Sequence, residues 1–284
     1  MESHTEQPKD QGPKGGLDEQ AEALRASSQN GDSGNLKYVL YKVLSALKHF
    51  YSFKELEERL GVSAQILWRY VSLRSVPERE TAEKLIRKIE STRLLEDALS
   101  RAVDSSSELW QLLSSPGILS LIELKALEAF RGEKVNAVVS SSDGYSAAIA
   151  AVLAELFNAR LCVASHTPYS RHILVKSYKV SQEYYETLVF PKECIPRRGK
   201  VVVVATDLTK VSQLAALVDV VRLRQSTLVG IVGVMGDENR AAELARERLG
   251  SSTKVVSLFR QCEEAQACVG QPEAQQGRAA EAEG

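Results

Sequence analysis

One segment, Val201–Ser212, constrains the fold of this chain more than any other. Four consecutive valines, Val201–Val204, run into the polar stretch Ala205–Ser212, and the apolar helical run Gln213–Leu223 follows at once. Continuous β-branched residues are typical of a strand buried on both faces of a parallel sheet. A short polar loop between such a strand and a helix suits a phosphate group, because loop amides and the helix dipole both favour an anion. The segment therefore predicts an α/β domain with a candidate anion-binding loop.

The C-terminal half repeats this alternation of strand and helix. Further apolar strand-like runs are Val135–Ser140, Arg160–Ala164, Thr227–Met235 and Lys254–Leu258, and the helical runs between most of them are Tyr145–Phe157, Ser212–Leu223 and Asn239–Leu249. Such alternation predicts a mainly parallel sheet covered by helices on both faces. The exception is Ser165–Arg198, a polar and aromatic insertion that we call the hood and predict to be a hairpin over the sheet edge.

Composition suggests two domains and no membrane span. Apolar residues make up 44% of the 284 residues, charged residues 26%, and the net charge is −1, as in ordinary globular proteins. No stretch of about 18 apolar residues and no signal-peptide core is present, so we expect a cytoplasmic protein. We predict tails at 1–34 and 262–284, a helical DNA-binding domain at 35–92, a helical connector at 93–133 and the α/β domain at 134–261.

The cysteines and histidines give no metal-binding pattern. The four cysteines, Cys162, Cys194, Cys262 and Cys268, lack zinc-like spacing, and we expect buried or idle thiols in a reducing cytosol. His166 and His172 lie in the hood without a carboxylate at ligand spacing, so we predict no metal site.

The N-terminal half contains a series of short helices. Apolar periodicity predicts a helix over Leu36–Phe50, Ser52 can cap a second helix at Phe53–Leu60, and Gly61 ends it. Ser63 would cap a third helix, Ala64–Leu73, and Pro77 suits the first turn of a fourth helix that runs to about Glu90.

Two helices joined at a steep angle through Gly61-Val62-Ser63 resemble the helix-turn-helix of lambda-repressor-like DNA-binding domains. One departure is Glu57, where that family usually has a small alanine. Leu36–Glu90 carries eleven Lys/Arg and seven Asp/Glu, a positive excess that suits DNA. A protein–protein contact is the alternative for the module.

The resemblance implies which residues would contact double-stranded DNA. Side chains of the third helix would read the major groove, and two cations would contact phosphates. The groove residues are Gln65, Trp68, Arg69 and Ser72, and the phosphate contacts are Lys54 and Arg74. Each could instead be a solvated surface residue, and Trp68 could be partly buried in the core.

Two stretches of the C-terminal half, Val138–Ala148 and Val201–Ser212, resemble type I phosphoribosyltransferases. The resemblance covers Lys134–Leu258 and implies one loop for pyrophosphate and one for a ribose 5′-phosphate. The implied ligand-binding residues are Ser141, Ser142 and Gly144 in the first loop and Asp207, Thr209, Lys210 and Ser212 in the second.

Three catalytic features of that family are missing. Thr206 stands where the first of two acids is usual, Leu208–Ser212 contains no glycine, and Ser165-His166 replaces an Arg-Lys pair. Each lost electrostatic contact commonly costs about 10²–10³ in rate, so turnover is not expected. A hood cation, at Arg171, Lys176 or Lys179, could compensate in part.

Three glycines, Gly230, Gly233 and Gly236, are separated from one another by two residues and are predicted to lie within a strand, whereas the dinucleotide-binding motif needs its glycines between a strand and a helix. We therefore interpret them as sites of close packing.

Together these features predict a homodimeric transcription regulator that binds operator DNA and senses phosphoribosyl pyrophosphate or a nucleotide. Mg²⁺ would take part only with a pyrophosphate ligand. One alternative is an active orotate or purine phosphoribosyltransferase with a fused DNA-binding domain, and another is a ligand-free dimerisation module. The identity of the catalytic residues stays open.

Overall fold

The computed structural model describes residues 32–104, 109–167 and 170–259. The chain divides into two compact units, Met1–Asp97 and Ala98–Gly284. Residues 1–31 and 260–284, which include most of the predicted tails, lie outside the described residues. The first described helix begins at Asp32, three residues inside the predicted N-terminal tail.

The first unit is helical. Its helices are α1 (Asp32–Leu47), α2 (Phe53–Leu60), α3 (Ala64–Val71), α4 (Arg79–Ser91) and the start of α5 (Leu94–Asp104). Leucines spaced three or four residues apart on α1 and α2 are buried, together with Leu67 of α3 and Leu85 of α4. Burial of these apolar stripes holds the short helices together, since helices of eight residues are marginal alone.

The predicted helix ends are partly confirmed. Ser52 Oγ accepts a hydrogen bond from Glu55 N at 3.2 Å, and the Glu55 carboxylate accepts one from Ser52 N at 2.8 Å, which completes a capping box. Gly61 ends α2 with φ 70°, a conformation that favours glycine.

Two details of this region differ from the prediction. Ser63 precedes α3 but makes no capping hydrogen bond; instead the Glu57 carboxylate accepts one from Ala64 N at 3.0 Å. Glu57, at a position where the resemblance implies alanine, thus reaches across the turn to the start of α3. Helix α4 begins at Arg79, so Pro77 lies before the helix and not in its first turn.

The second unit alternates helices and strands as predicted. After α5 come α6 (Leu109–Ser114), α7 (Pro116–Ala129), β1 (Ala137–Ser140), α8 (Gly144–Leu156), β2 (Arg160–Val163), β3 (Ile173–Lys179), β4 (Tyr185–Pro191), a 3₁₀ turn (Lys192–Cys194), β5 (Lys200–Val204), α9 (Val211–Leu223), β6 (Thr227–Val232), α10 (Glu238–Leu249) and β7 (Lys254–Val256).

Five of the strands form one parallel sheet in the order β2-β1-β5-β6-β7. Val201–Val204 of β5 occupy its centre and are fully buried, which confirms the strand predicted from the four valines. Strands β3 and β4 form a separate antiparallel pair, so the prediction of a hairpin within the hood is also confirmed. We call Ile173–Pro191 the hood hairpin.

Glycines after β6 allow close packing. A Cβ atom built on Gly233 would lie 2.6 Å from Leu208 Cγ, and one on Gly236, which has φ 119°, would lie 2.7 Å from Leu208 Cβ. Close packing is therefore confirmed, although β6 ends at Val232 and both glycines follow the strand.

The cysteine prediction is wrong for one pair. Cys162 of β2 and Cys194 of the 3₁₀ turn form a disulfide, and Cys262 and Cys268 lie outside the described residues. Spacing along the chain gave no sign of the pair because only the fold brings them together. None of the described helices has the length and apolar character that a membrane crossing requires.

Candidate functional site

The two predicted ligand loops meet at one edge of the sheet. Strands β1 and β5 are parallel neighbours with Ser140 opposite Val204 in register, so the chain leaves both strands at the same level. The β1–α8 loop and the β5–α9 loop therefore lie side by side at the carboxyl ends of the central strands. Crevices at this edge are the usual ligand sites of open α/β sheets.

The β1–α8 loop is organised around Asp143. Its carboxylate caps α8 by accepting a hydrogen bond from Ser146 N at 2.8 Å, and it also accepts one from the Ser141 hydroxyl. Burial raises the pKa of the Asp143 carboxyl, but the hydrogen bonds from Ser141 and Ser146 and the charge of Lys210 outweigh burial and hold the pKa below its usual value. The loop thus carries its own anion at the helix N-terminus.

The β5–α9 loop is shaped by Asp207 and Leu208. Asp207 Oδ1 accepts hydrogen bonds from Thr209 N at 2.9 Å and from Thr209 Oγ1 at 2.6 Å, a local turn that holds the loop. Leu208 is buried against Gly233 and Gly236 and anchors the loop to the segment after β6. Lys210 stands at the N-cap of α9, and no side chain among the described residues caps this helix.

Hydrogen bonds join the two loops. Thr206 N donates to Ser146 Oγ at 2.9 Å, and the Thr206 and Ser146 hydroxyl oxygens are also 2.9 Å apart. Thr206 Oγ1 donates to Asp143 Oδ1 at 3.4 Å. The residue that replaces the expected first acid is thus used within the protein, as a bridge between the loops.

The predicted ligand residues fall into two groups at this edge. Ser141 is buried and bonded to Asp143, whereas Ser142 and Gly144 are exposed beside the start of α8. Thr209, Lys210 and Ser212 are exposed around the start of α9, and Asp207 is half-buried.

Asp143 and Ser146 were missed as site residues, and Thr206 was noted only as the replacement for an acid, not as a bridge between the loops. The Asp143–Ser146 cap has a recognisable pattern, an Asp just before a helical run, and could have been found. The bond to Thr206 joins residues 60 positions apart and has no local signal.

The hood hairpin reaches this edge through Tyr178 of β3. The Tyr178 hydroxyl donates to the Glu186 carboxylate and accepts a hydrogen bond from Gln213 Nε2, in the first turn of α9, at 3.0 Å. Burial, followed by the hydrogen bond to Glu186, raises the pKa of Tyr178 to about 12. Tyr178 therefore remains an uncharged hydroxyl beside the N-terminus of α9.

One of the proposed compensating cations is engaged elsewhere. Lys176 Nζ lies 2.7 Å from Asp219 Oδ2, and this buried carboxylate also contacts Arg222 and Arg248. Burial raises the pKa of Asp219, but the hydrogen bond from Lys176 and the charges of Lys176, Arg248 and Arg222 hold it below its usual value. Lys176 therefore fastens the hood hairpin to α9.

The arrangement offers no evident place for Mg²⁺. Asp143 and Asp207 already accept local hydrogen bonds, and the described residues contain no group of three or more His, Cys, Asp or Glu side chains that could hold a metal ion. We assign no metal to this edge.

Most of the predicted DNA-contacting side chains are exposed on or near α3. Gln65, Arg69 and Lys54 are exposed, and Trp68 is 41% exposed, so Trp68 is not fully buried. The Arg74 guanidinium lies over the Trp68 ring, 4.7 Å from its centroid.

Ser72 differs from the other predicted contacts, because its hydroxyl donates to Trp68 O at 2.7 Å. This bond ties Ser72 to its own helix.

No family model matches the sequence, and no curated protein shows significant similarity to it. Several solved structures with a similar fold are adenine phosphoribosyltransferases. The Trypanosoma brucei enzyme, in complex with AMP, pyrophosphate and ribose-5-phosphate, is 16% identical at a TM-score of 0.48 and matches over 61% of this chain and 78% of its own.

Two further structures give similar values. The Rhodothermus marinus enzyme is 18% identical at a TM-score of 0.45, over 54% of this chain and 84% of its own. The Saccharomyces cerevisiae enzyme is 18% identical at a TM-score of 0.42, over 52% and 84%. The likeness is one of fold and lies in the C-terminal part of the chain.

Proposed function

We propose that this protein is a DNA-binding transcription regulator whose C-terminal unit senses a phosphorylated ribose compound without catalysing its transfer. The observation that carries the sensor half of the proposal is the bridge from Thr206 to Ser146 and Asp143. The bridge joins the two loops at one edge of the sheet, as a shared ligand requires. It also means that the position where the catalytic family has a carboxylate holds a hydroxyl that is already hydrogen-bonded within the protein.

Of the two predicted ligands, a nucleotide in the form of a nucleoside monophosphate fits better than phosphoribosyl pyrophosphate. The α8 N-terminus already holds the Asp143 carboxylate, so a pyrophosphate placed there would meet a negative charge. The α9 N-terminus is uncapped by side chains, and Lys210, Thr209 and Ser212 are exposed around it. One phosphate can therefore be bound at α9 by amides, hydroxyls and a cation.

Thermal-shift titration of the full chain tests the sensor. We expect AMP and ribose-5-phosphate to stabilise the protein, by about 2.7 kcal/mol at 100 times the dissociation constant, and adenosine to have no effect. Because a charge-assisted hydrogen bond contributes about 1.5–3 kcal/mol, Lys210→Ala should weaken binding roughly 10- to 150-fold. Lys134→Ala, an exposed lysine before β1 at the opposite end of the sheet, is the matched control. Absence of stabilisation by every phosphorylated compound would favour the ligand-free dimerisation module.

The DNA-binding half of the proposal is supported by the exposed side chains of α3 and by the positive charge of residues 36–90. It is opposed in part by Glu57, whose carboxylate lies at the N-terminus of α3. In a homodimer, two such helices would contact half-sites about 34 Å apart.

Selection of duplexes from a random pool, followed by fluorescence anisotropy, tests DNA binding. Arg69→Ala should weaken binding to a selected duplex by about 1–3 kcal/mol and reduce binding to random DNA far less. The exposed Lys84 of α4, replaced by alanine, controls for the loss of one positive charge. If no duplex is enriched and the Arg69 variant binds like the parent protein, α3 is a protein-contact surface, for which the exposed Ile66, Trp68 and Val76 provide apolar area.

The second candidate function is an active nucleobase phosphoribosyltransferase with a fused DNA-binding domain. It is favoured by the order of elements, because strand, loop, helix, strand, hood hairpin, strand, loop and helix follow one another as in the catalytic family. A pyrophosphate-release assay with adenine, orotate and uracil, in the presence of Mg²⁺, decides between the two. Clear turnover would overturn the sensor.

A further inference from the structure

The disulfide encloses the hood hairpin. Cys162 is the third residue of β2 and Cys194 ends the 3₁₀ turn that follows β4, so the bond joins the two ends of the segment containing Ile173–Pro191. Cys162 is buried and Cys194 is only half-buried, which leaves the Cys194 sulfur as the more accessible of the two.

The inner face of the same hairpin packs on the helix that begins at the candidate site. Tyr178, Leu188 and Phe190 are buried in one core cluster with Leu214 and Leu217 of α9.

Two polar contacts complete this attachment, Tyr178 with Gln213 and Lys176 with Asp219. Gln213 lies in the first turn of α9, directly after Ser212. When the hood hairpin is closed, Tyr178 therefore stands at the point where a phosphate would approach the helix.

We propose that the Cys162–Cys194 disulfide is a redox switch that controls opening of the hood hairpin and, with it, access to the α9 N-terminus. With the bond intact, the ends of the hairpin are held together and the closed position is favoured. With the bond reduced, the hairpin can still make its contacts with α9 but opens more often, because Cys194 is no longer tied to β2. The effect on ligand access rests on the proposed sensor function, whereas the effect on the hairpin does not.

Reduction proceeds by ordinary thiol–disulfide exchange with a dithiol. One thiolate of the dithiol attacks the Cys194 sulfur, the bond between the two sulfurs breaks, and the Cys162 sulfur leaves as a thiolate that takes up a proton. The second thiolate of the dithiol then displaces the Cys194 sulfur. Two electrons and two protons pass to the protein, which gains two thiols, and the dithiol becomes a cyclic disulfide.

Hydrogen exchange of the full chain, followed by mass spectrometry, measures the opening. Cys262→Ser and Cys268→Ser provide a background without the two C-terminal thiols. Loop-closure entropy for a segment of this length predicts that reduction by dithiothreitol accelerates exchange in Ile173–Pro191 on the order of 10²-fold, whereas exchange in β5 and β6 stays unchanged. Cys194→Ser should exchange like the reduced protein and be insensitive to dithiothreitol.

Two results would overturn the switch. The first is equal exchange in the hairpin before and after reduction, when thiol titration shows that Cys162 and Cys194 have become free. The second is the presence of two free thiols in the air-oxidised protein. A separate titration with AMP tests the consequence for the site, and we expect tighter and faster binding after reduction. If the hairpin opens on reduction while neither form binds AMP or ribose-5-phosphate, the switch stands and the proposed sensor function fails.

Discussion

The N-termini of α8 and α9 occupy equivalent positions in the fold but differ in side-chain capping. Each helix follows a central parallel strand, and the two strands end at the same level. The Asp143 carboxylate caps α8, whereas Asp207 turns back on Thr209 and leaves α9 without a side-chain cap. Two strand–loop–helix units of the same sheet thus differ in that one caps its helix with its own carboxylate and the other does not.

The largest expected effect is the loss of stability when the residue that anchors the β5–α9 loop is truncated. Leu208→Ala removes the buried side chain that fixes the β5–α9 loop and should cost about 2–5 kcal/mol in the free energy of unfolding, measured with urea. Amide exchange should increase in the β5–α9 loop and stay slow in the β1–α8 loop. Leu153→Ala, at a fully buried position on α8, is the control that loses similar stability without loosening the β5–α9 loop. Equal loosening of both loops would contradict the comparison.

The next prediction compares the stability lost when Asp143 or Asp207 is replaced by alanine. Asp143→Ala removes a helix cap and should cost about 0.5–2 kcal/mol. Asp207→Ala should cost less, because it removes only the exposed turn to Thr209. Paired urea titrations measure the difference. A larger loss from Asp207→Ala would show that Asp207, and not Asp143, is the anion that stabilises this edge.

The dependence of the unfolding free energy on acid pH tests the role of Asp143, because the pKa of this carboxyl is lowered in the folded protein. Because the folded-state pKa lies below the unfolded value of 3.8, the stabilisation is fully present above that pH and is lost as the pH falls through the folded pKa. Asp143→Asn should therefore reduce the dependence of unfolding free energy on pH in this acid range. A variant with the same acid dependence as the parent protein would refute the assignment.

The smallest effect concerns Tyr178, which stands between the hood hairpin and α9. Tyr178→Phe loses its hydrogen bonds to Glu186 and from Gln213 and should cost about 0.5–1.5 kcal/mol near neutral pH. Because folding raises the pKa of Tyr178 from 10.0 to about 12, the parent protein should lose stability as the pH rises through this window, and the variant should lose less. Alkaline denaturation curves of the two proteins provide the measurement, and identical curves would mean that the phenol is not held at this edge.

Local signals predicted much of the fold. The four valines identified the central strand, which is Lys200–Val204, and Ser52 and Gly61 identified both ends of α2. Both features could be predicted because an apolar run and a helix end each have a pattern that lies within a few neighbouring residues.

Interactions between distant residues were not predictable in the same way. The disulfide joins cysteines 32 positions apart, and the Thr206–Ser146 bridge joins two loops on separate strands. At the start of α3, the Glu57 carboxylate of the preceding helix accepts a hydrogen bond from Ala64 N, whereas Ser63 makes no capping hydrogen bond. The disulfide and the bridge depend on the tertiary fold, which the residues around either partner do not reveal. The Glu57 contact depends on the geometry of the turn between α2 and α3.

The packing of Leu208 against Gly233 and Gly236 links the evolution of three positions. A lineage that acquires a side chain at either glycine must shorten residue 208 or shift the β5–α9 loop, so the three identities should change together among homologues. Drift in the segment after β6 would thereby alter the candidate site without any substitution in the residues that contact a ligand.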